Sequence, residues 1–303
     1  MGPLLFIIYM NDIVRSSSYF KFILYADDTS LFSLPAVLDT SVNVNIELAK
    51  VSKWLSENRL SLNVDKTKSM MFRNINKHVV FPQLEINGSK IEFVDKFKFL
   101  GFIVDEHLSW KHHIDHIHKK VMSAVGILYR MKHFLPVSVK LMIYNALVHS
   151  YLNSGIILWG HKSSAERSKL VIAQKKCVRS ILCLGFNAHT SVHFKSLRIL
   201  KLKDMLTVAR VRFYCKHKSG DLPFYLQSLS FSLNSDVHSY NTIHRNDIHS
   251  VHGHQDCLRK VIPPIIKDLP NAVKRIVDLI TPEVKFALSR ISTLMKTHFF
   301  STY

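Results

Sequence analysis

Apolar positions along the chain fall into two regimes. Up to about Asp105 short strand-like runs alternate with helical ones, and beyond it nearly every pattern is helical. Leu4, Leu5, Ile7, Ile8 and Met10 follow Gly2-Pro3, which predicts an apolar helix with proline in its first turn. Residues 20–25 and 29–33 are short apolar runs on either side of Ala26-Asp27-Asp28, so a hairpin with two acids at its tip is expected. Val44, Leu48, Val51 and Leu55 share one face of a helix. Residues 68–73 read as a strand. Leu84-Glu85-Ile86 and Lys90-Ile91-Glu92-Phe93 flank Asn87-Gly88, a two-residue hairpin signal, and residues 97–105 read as one more strand.

The second regime is built from helices. Pro136 opens one that runs to about Asn153, and Ser163 with Glu166 has capping-box spacing before Leu170, Val171 and Ile172. Thr281-Pro282-Glu283 starts a last helix whose Val284, Leu288, Ile291 and Met295 share a face. Residues 229–256, with Ser, Asn and His and few large aliphatics, read as a loop or linker. No internal repeat is visible. The fold class is therefore α+β, divided into a mixed region 1–108, a helical region 109–220 and a C-terminal region 221–303 with a loop and a terminal helix.

Composition leaves this picture intact: hydrophobic residues are 47% and charged residues 21% of the 303, ordinary for a globular chain. Charge changes it. Forty-one Lys and Arg against 22 Asp and Glu give a net +19. Between Trp110 and Gly220 there are 20 Lys and Arg against only Asp115, Glu166 and Asp204, a net +17. So basic a block repels itself unless something anionic meets it, and a phosphate backbone is the usual partner. A solubilising face, or one that meets acidic protein or lipid, is the alternative.

Cys177, Cys183, Cys215 and Cys257 form no tight pair, which suggests a reducing compartment. The apolar start lacks a basic leader segment, and Lys or Arg interrupts every long apolar run. Asn87-Gly88-Ser89 is formally a glycosylation sequon but reads better as a turn. The expected setting is nucleus or cytoplasm, neither secreted nor membrane-bound.

Tyr25-Ala26-Asp27-Asp28 is the sharpest chemical feature. Two adjacent carboxylates on a hairpin tip can hold divalent metal, with the flanking strands fixing their positions. An ordinary solvent-exposed Asp-Asp turn is the bland alternative. The pair does not stand alone, however. Gly2-Pro3-Leu4-Leu5-Phe6 through Asn11-Asp12, Leu24 to Thr29, Leu62-Asn63-Val64-Asp65-Lys66-Thr67-Lys68 and Phe99-Leu100-Gly101 occur in one order. That order resembles the palm of reverse transcriptases encoded by non-LTR retrotransposons, most like the jockey group. Trp110 to Gly160 resembles the thumb with its Trp-Gly end.

The resemblance implies roles. Asp27 matches the metal-binding carboxylate of the loop, Asp28 its neighbour, and Lys66 the lysine that helps protonate leaving pyrophosphate. Phe99, Leu100 and Gly101 match the primer-grip turn. It implies a two-magnesium site, an RNA template and a DNA primer as partners, and synthesis by in-line attack of a 3′-hydroxyl on an α-phosphate. In the family a third carboxylate comes from a strand upstream of the Gly-Pro-Leu-Leu-Phe helix, on which Met1 almost sits. The chain is therefore read as the C-terminal portion of such an enzyme, expected by itself to polymerise weakly or not at all. A non-catalytic nucleic-acid-binding remnant and an unrelated basic scaffold for acidic proteins are the rival readings.

Lys111, Lys119, Lys120, Arg130 and Lys132 on the first thumb-like helix and its end, with Lys175, Lys176 and Arg179 on another, are the expected backbone-binding cations. Tyr129, Phe134, Tyr144, Tyr151 and Trp159 recur at helical spacing, which reads as core. His107, His112, His113, His116 and His118 cluster, as do His249, His252, His254 and Cys257. Neither set has a Cys-x-x-Cys partner, so both read as a basic helix and a polar loop before they read as zinc sites.

Overall fold

The computed structural model describes residues 2–33, 41–73, 83–161 and 164–227. The expected cap Ser163, the linker 229–256, the second histidine set and the helix from Thr281 lie outside the described residues. The chain forms two compact units, Met1–Ser109 and Trp110–Tyr303.

In the first unit α1 (Gly2–Met10) has Pro3 in its first turn, where a missing N–H costs nothing, and passes into a 3₁₀ turn, Asn11–Ser16. Only Met10 of α1 is buried. Strands β1 (Lys21–Tyr25) and β2 (Asp28–Phe32) pair antiparallel, from Lys21 opposite Phe32 to Tyr25 opposite Asp28. Phe22, Leu24 and Leu31 pack inward from this hairpin. Helix α2 (Ser41–Glu57) buries the stripe Val44, Leu48 and Val51 against Met10, Ile13, Phe20, Ile86 and Ile91, with Leu55 partly buried beside them.

The remaining strands are shorter than the sequence pattern suggests. β3 covers only Lys68–Ser69 instead of 68–73. β4 (Glu85–Ile86) and β5 (Ser89–Lys90) make the hairpin around Asn87-Gly88, and β6 (Glu92–Phe93) leaves it to pair parallel with β3. Residues 97–105, read as one strand, are in fact a hairpin of β7 (Lys96–Phe99) and β8 (Phe102–Asp105). Leu100 at φ 47° and Gly101 at φ 88° reverse the chain. A two-residue turn inserts no polar gap, so the apolar run continues through it unbroken. The antiparallel sheet expected here is present among the described residues as four two-stranded pieces, one of them parallel.

The second unit is helical: α3 (Lys111–Arg130), α4 (Val137–Tyr144), α5 (Ser150–Asn153), α6 (Ile156–Trp159), α7 (Ser164–Ile181), α8 (Ser191–Ser196), α9 (Leu202–Lys218) and α10 (Phe224–Gln227). A π-turn, Asn145–His149, carries α4 into α5 without a break, so the helix opened by Pro136 does reach Asn153. Helix α3 packs along α7. Ile114, Ile117, Val121 and Leu128 of α3 are fully buried, as are Leu170, Ala173, Cys177 and Ile181 of α7, each set at helical spacing. The amide of Gln174 donates to the Tyr144 hydroxyl and the Leu200 carbonyl, each at 2.9 Å, and its oxygen accepts the Leu202 N–H at 3.1 Å. That network fixes where α9 begins. At Gly160 a Cβ would lie 2.5 Å from the Ile156 carbonyl oxygen and 2.9 Å from Leu206, so the Trp-Gly pair ends in a residue with no room for a side chain.

Candidate metal-binding hairpin and nucleic-acid interface

The β1–β2 register places the two-residue turn at Ala26-Asp27 and makes Asp28 the first residue of β2, opposite Tyr25. Ala26 adopts φ 51°, a left-handed conformation that disfavours a residue bearing a Cβ by roughly 1–2 kcal/mol. Local strain of this kind sits immediately before the carboxylates. Asp27 and Asp28 are both exposed, and among the described residues neither carboxylate has an ion-pair or hydrogen-bond partner. Two hard oxygen donors, adjacent, on a backbone held by five ladder pairs, are a suitable set for a divalent cation. The described residues contain no group of three His, Cys, Asp or Glu placed to hold a metal.

Lys66 lies on a different turn. Its N–H donates to the Asn63 side-chain oxygen at 3.1 Å, and Thr67 bonds the Asn63 carbonyl through both its N–H (3.2 Å) and its hydroxyl (2.9 Å). The Asn63-to-Thr67 spacing is thereby stitched into one compact turn, with Lys66 exposed and no carboxylate paired to it among the described residues. Phe99 ends β7, and Leu100-Gly101 form the turn that follows. The four motifs thus occupy separate short elements of one unit; Asp27 and Asp28 alone share a tip. Below the β7–β8 hairpin, Asp105 accepts the Ser109 N–H (2.9 Å), the Ser109 hydroxyl (3.1 Å) and the His107 N–H (3.2 Å). Arg73 clamps Glu106 through two bonds of 2.9 and 3.0 Å.

In the helical unit Lys111, Lys119, Lys120, Arg130 and Lys175 are exposed, and Lys176 is half-buried. Lys132 folds its ammonium over the Tyr129 ring, 4.6 Å from its centre. Arg179 is tied locally, its Nε donating to the Ala188 carbonyl at 3.0 Å. Lys175 instead borders a cavity of about 370 Å³ between α6, α7 and α9, beside Arg167 and Lys203. His113, placed by sequence in a basic cluster, is buried between the rings of Trp110 and Trp159, with centroids 6.0 and 6.5 Å away. Burial, with His116 nearby, pushes its pKa down to about 4.

The aromatic residues divide. Tyr144 and Trp159 are core as expected, whereas Tyr129 and Phe134 are 61% and 79% exposed. Sequence reasoning also passed over Lys140, which is 2% exposed and donates to the Lys132 carbonyl at 2.9 Å. Its position at the fourth residue after Pro136 carries no signal of burial.

The acidic hairpin tip, the compact Asn63-to-Thr67 turn and the left-handed Leu100-Gly101 reversal all lie in the first unit. Residues 1–104 match the family described as Reverse transcriptase (RNA-dependent DNA polymerase). The chain is 24% identical over 186 residues to the RNA-directed DNA polymerase from mobile element jockey of Drosophila melanogaster, covering 60% of this chain and 20% of that protein. It is 23% identical over 194 residues to the jockey polymerase of Drosophila funebris, covering 63% and 21%. It is 23% identical over 223 residues to the probable RNA-directed DNA polymerase from transposon X-element of Drosophila melanogaster, covering 71% and 24%. The chain thus spans about a fifth to a quarter of the length of these relatives. No solved structure matches it. The similarity to reverse transcriptases thus lies in residues 1–104, about the first third of the chain, and the relatives named above are polymerases of mobile elements.

Proposed function

We propose that this chain supplies part of the palm and the template–primer grip of an RNA-directed DNA polymerase. The observation that carries the reading is the β1–β2 hairpin within the matched residues, whose Asp27 and Asp28 carboxylates are exposed and have no partner among the described residues. Magnesium suits that donor set, and when bound it would lower the barrier to in-line phosphoryl transfer by neutralising developing charge. Asp27 in the turn and Asp28 at the start of β2 would hold the cation. Lys66, kept on its turn by Asn63, is exposed with no carboxylate paired to it among the described residues, and its ammonium could deliver a proton to a departing phosphate. The Leu100-Gly101 reversal brings backbone to the surface, where a primer end can approach.

Phosphates of an RNA–DNA duplex are held by Lys111, Lys119, Lys120, Arg130, Lys175 and Lys176. Six such contacts would give a steep, linear fall of log affinity with log salt. No helix among the described residues is long and apolar enough to cross a membrane. Cys177, Cys183 and Cys215 are free thiols, in keeping with a nuclear or cytoplasmic setting.

The test is primer extension on an RNA template with magnesium, run with the purified chain and with Asp27→Ala, beside a salt series of duplex binding. Salt-steep binding, with any extension lost in Asp27→Ala, is the expected result. Binding indifferent to salt, or extension equal in both proteins, would overturn the assignment. Binding without extension in either protein would leave the grip and favour a non-catalytic role.

A further inference from the structure

We propose that one end of the helical unit, formed by the α3–α4 turn and the α7–α8 loop, is a stacking platform for unpaired nucleobases of single-stranded nucleic acid. The proposal rests on the reading that this unit binds nucleic acid. It adds a surface that a duplex-backbone grip does not need.

Three aromatic rings mark the surface. Phe134 and Phe186 are each 79% exposed and Tyr129 is 61% exposed. A single exposed Phe would need no explanation. These rings stand on two segments bonded to each other. The Lys132 carbonyl in the α3–α4 turn accepts hydrogen bonds from Lys140 Nζ at 2.9 Å and from Cys183 Sγ at 3.0 Å, and Lys140 Nζ lies 3.6 Å from that sulfur. Cys183 therefore ties the start of the α7–α8 loop, which carries Phe186, to the turn that carries Phe134.

Both segments are also stiff. Phe134 and Leu135 donate their N–H groups to the Met131 carbonyl at 3.1 and 3.2 Å, closing the turn after α3. Helix α7 ends in a left-handed Cys183 at φ 55°, with the Leu184 N–H bonded to the Arg179 carbonyl at 2.9 Å. Arg179 reaches forward to the Ala188 carbonyl across the same loop. Rings held out on a fixed backbone lose little freedom when a flat partner settles on them.

Charge selects the partner. Arg130 is exposed beside Tyr129, Lys132 lies over that ring, and residues 110–220 carry a net +17. Aromatic faces among cations fit a strand whose bases stack while its phosphates are neutralised. A duplex hides its base faces inside the helix, so a single strand, not a duplex, is the occupant.

The experiment measures fluorescence anisotropy of the full chain with three labelled probes: oligo(dT), an abasic oligomer of equal length, and a blunt duplex. The wild-type chain should prefer oligo(dT) to the abasic strand. The double variant Phe134→Ala/Phe186→Ala should lose about 30-fold for oligo(dT), two stacked bases at the lower end of the usual range, and should keep its affinity for the other two probes. Phe134→Trp/Phe186→Trp should retain the preference. Equal wild-type affinity for oligo(dT) and the abasic strand, or an unchanged double variant, overturns the platform while leaving the duplex grip standing. Salt-independent binding of all three probes removes the nucleic-acid reading itself. A double variant whose only change is dissociation of a dimer, seen by sedimentation, makes the rings a contact between copies and also overturns the proposal.

Discussion

The two units of this chain solve the problem of burying apolar surface in opposite ways. The helical unit closes on itself: Trp159, Leu128, Leu152, Leu170 and Ile181 are all at or near zero exposure, and a buried glutamine satisfies three neighbours at once. Among the described residues of the mixed unit no sheet has more than two strands, and α1 leaves Leu4, Leu5, Ile7 and Ile8 between 56% and 65% exposed. Two-stranded sheets are marginal by themselves. The candidate catalytic hairpin therefore stands on the less self-sufficient half of the molecule, and the densely packed half carries the basic surface. Stability and chemistry are not in the same place.

The largest effect that would sharpen this contrast is Trp159→Ala. It empties a fully buried site and abandons the Nε1–H bond to the Ser154 carbonyl (2.9 Å), so a loss of about 3–5 kcal/mol is expected by denaturant titration. Leu5→Ala in α1, 60% exposed, should change stability by less than about 0.5 kcal/mol. Comparable losses in the two would break the comparison.

Acid comes next. The folded pKa of His113 is held near 4 by burial, below an ordinary value of 6.5. Only the unfolded chain takes up this proton between those values. The helical unit should thus be most stable above about pH 6.5 and weaken as pH falls towards 4, by on the order of 3 kcal/mol when the effect is complete. Thermal melts of the wild type and of His113→Phe across that window test it, since the substitution should flatten the dependence.

Gln174→Leu should cost about 2–3 kcal/mol by stranding the Tyr144 hydroxyl, the Leu200 carbonyl and the Leu202 N–H. A smaller effect is expected in the mixed unit from Gly101→Ala, about 1 kcal/mol, because φ 88° strains any residue with a Cβ. Hydrogen exchange gives the mildest but broadest reading, with amides of α3 and α7 slower than those of β3, β6 and the β7–β8 hairpin. Faster exchange in α3 than in these strands would reverse the ranking of the two units.

Much of the architecture was legible because it follows from local periodicity. The stripe Val44, Leu48, Val51 needs only a 3.6-residue repeat, and the Asn87-Gly88 hairpin needs only residues that tolerate left-handed backbone. The acidic tip was legible for the same reason: strand, tight turn and strand are neighbours in the chain. The 97–105 hairpin was missed because a leucine occupies its left-handed turn, against local preference. With no Asn or polar residue to mark the turn, the run 97–105 carries no break in its apolar pattern. β6 was drawn out of its expected hairpin by a non-local partner, β3, 24 residues earlier.

The sequence by itself thus determined helices α1, α2 and α3 and the helical run from Pro136 to Asn153, the Asn-Gly turn, the adjacency of Asp27 and Asp28 and the charge of the helical half, since each depends on residues a few positions apart. Only the tertiary structure decided which faces are covered. Tyr144 and Trp159 met neighbouring helices and became core, Tyr129 and Phe134 met none among the described residues and stayed outside, and Lys140 was enclosed because the Lys132 carbonyl and Cys183 stood where its ammonium could bond. Periodicity places a side chain on a face of its helix; what packs against that face is settled by residues far away in the chain.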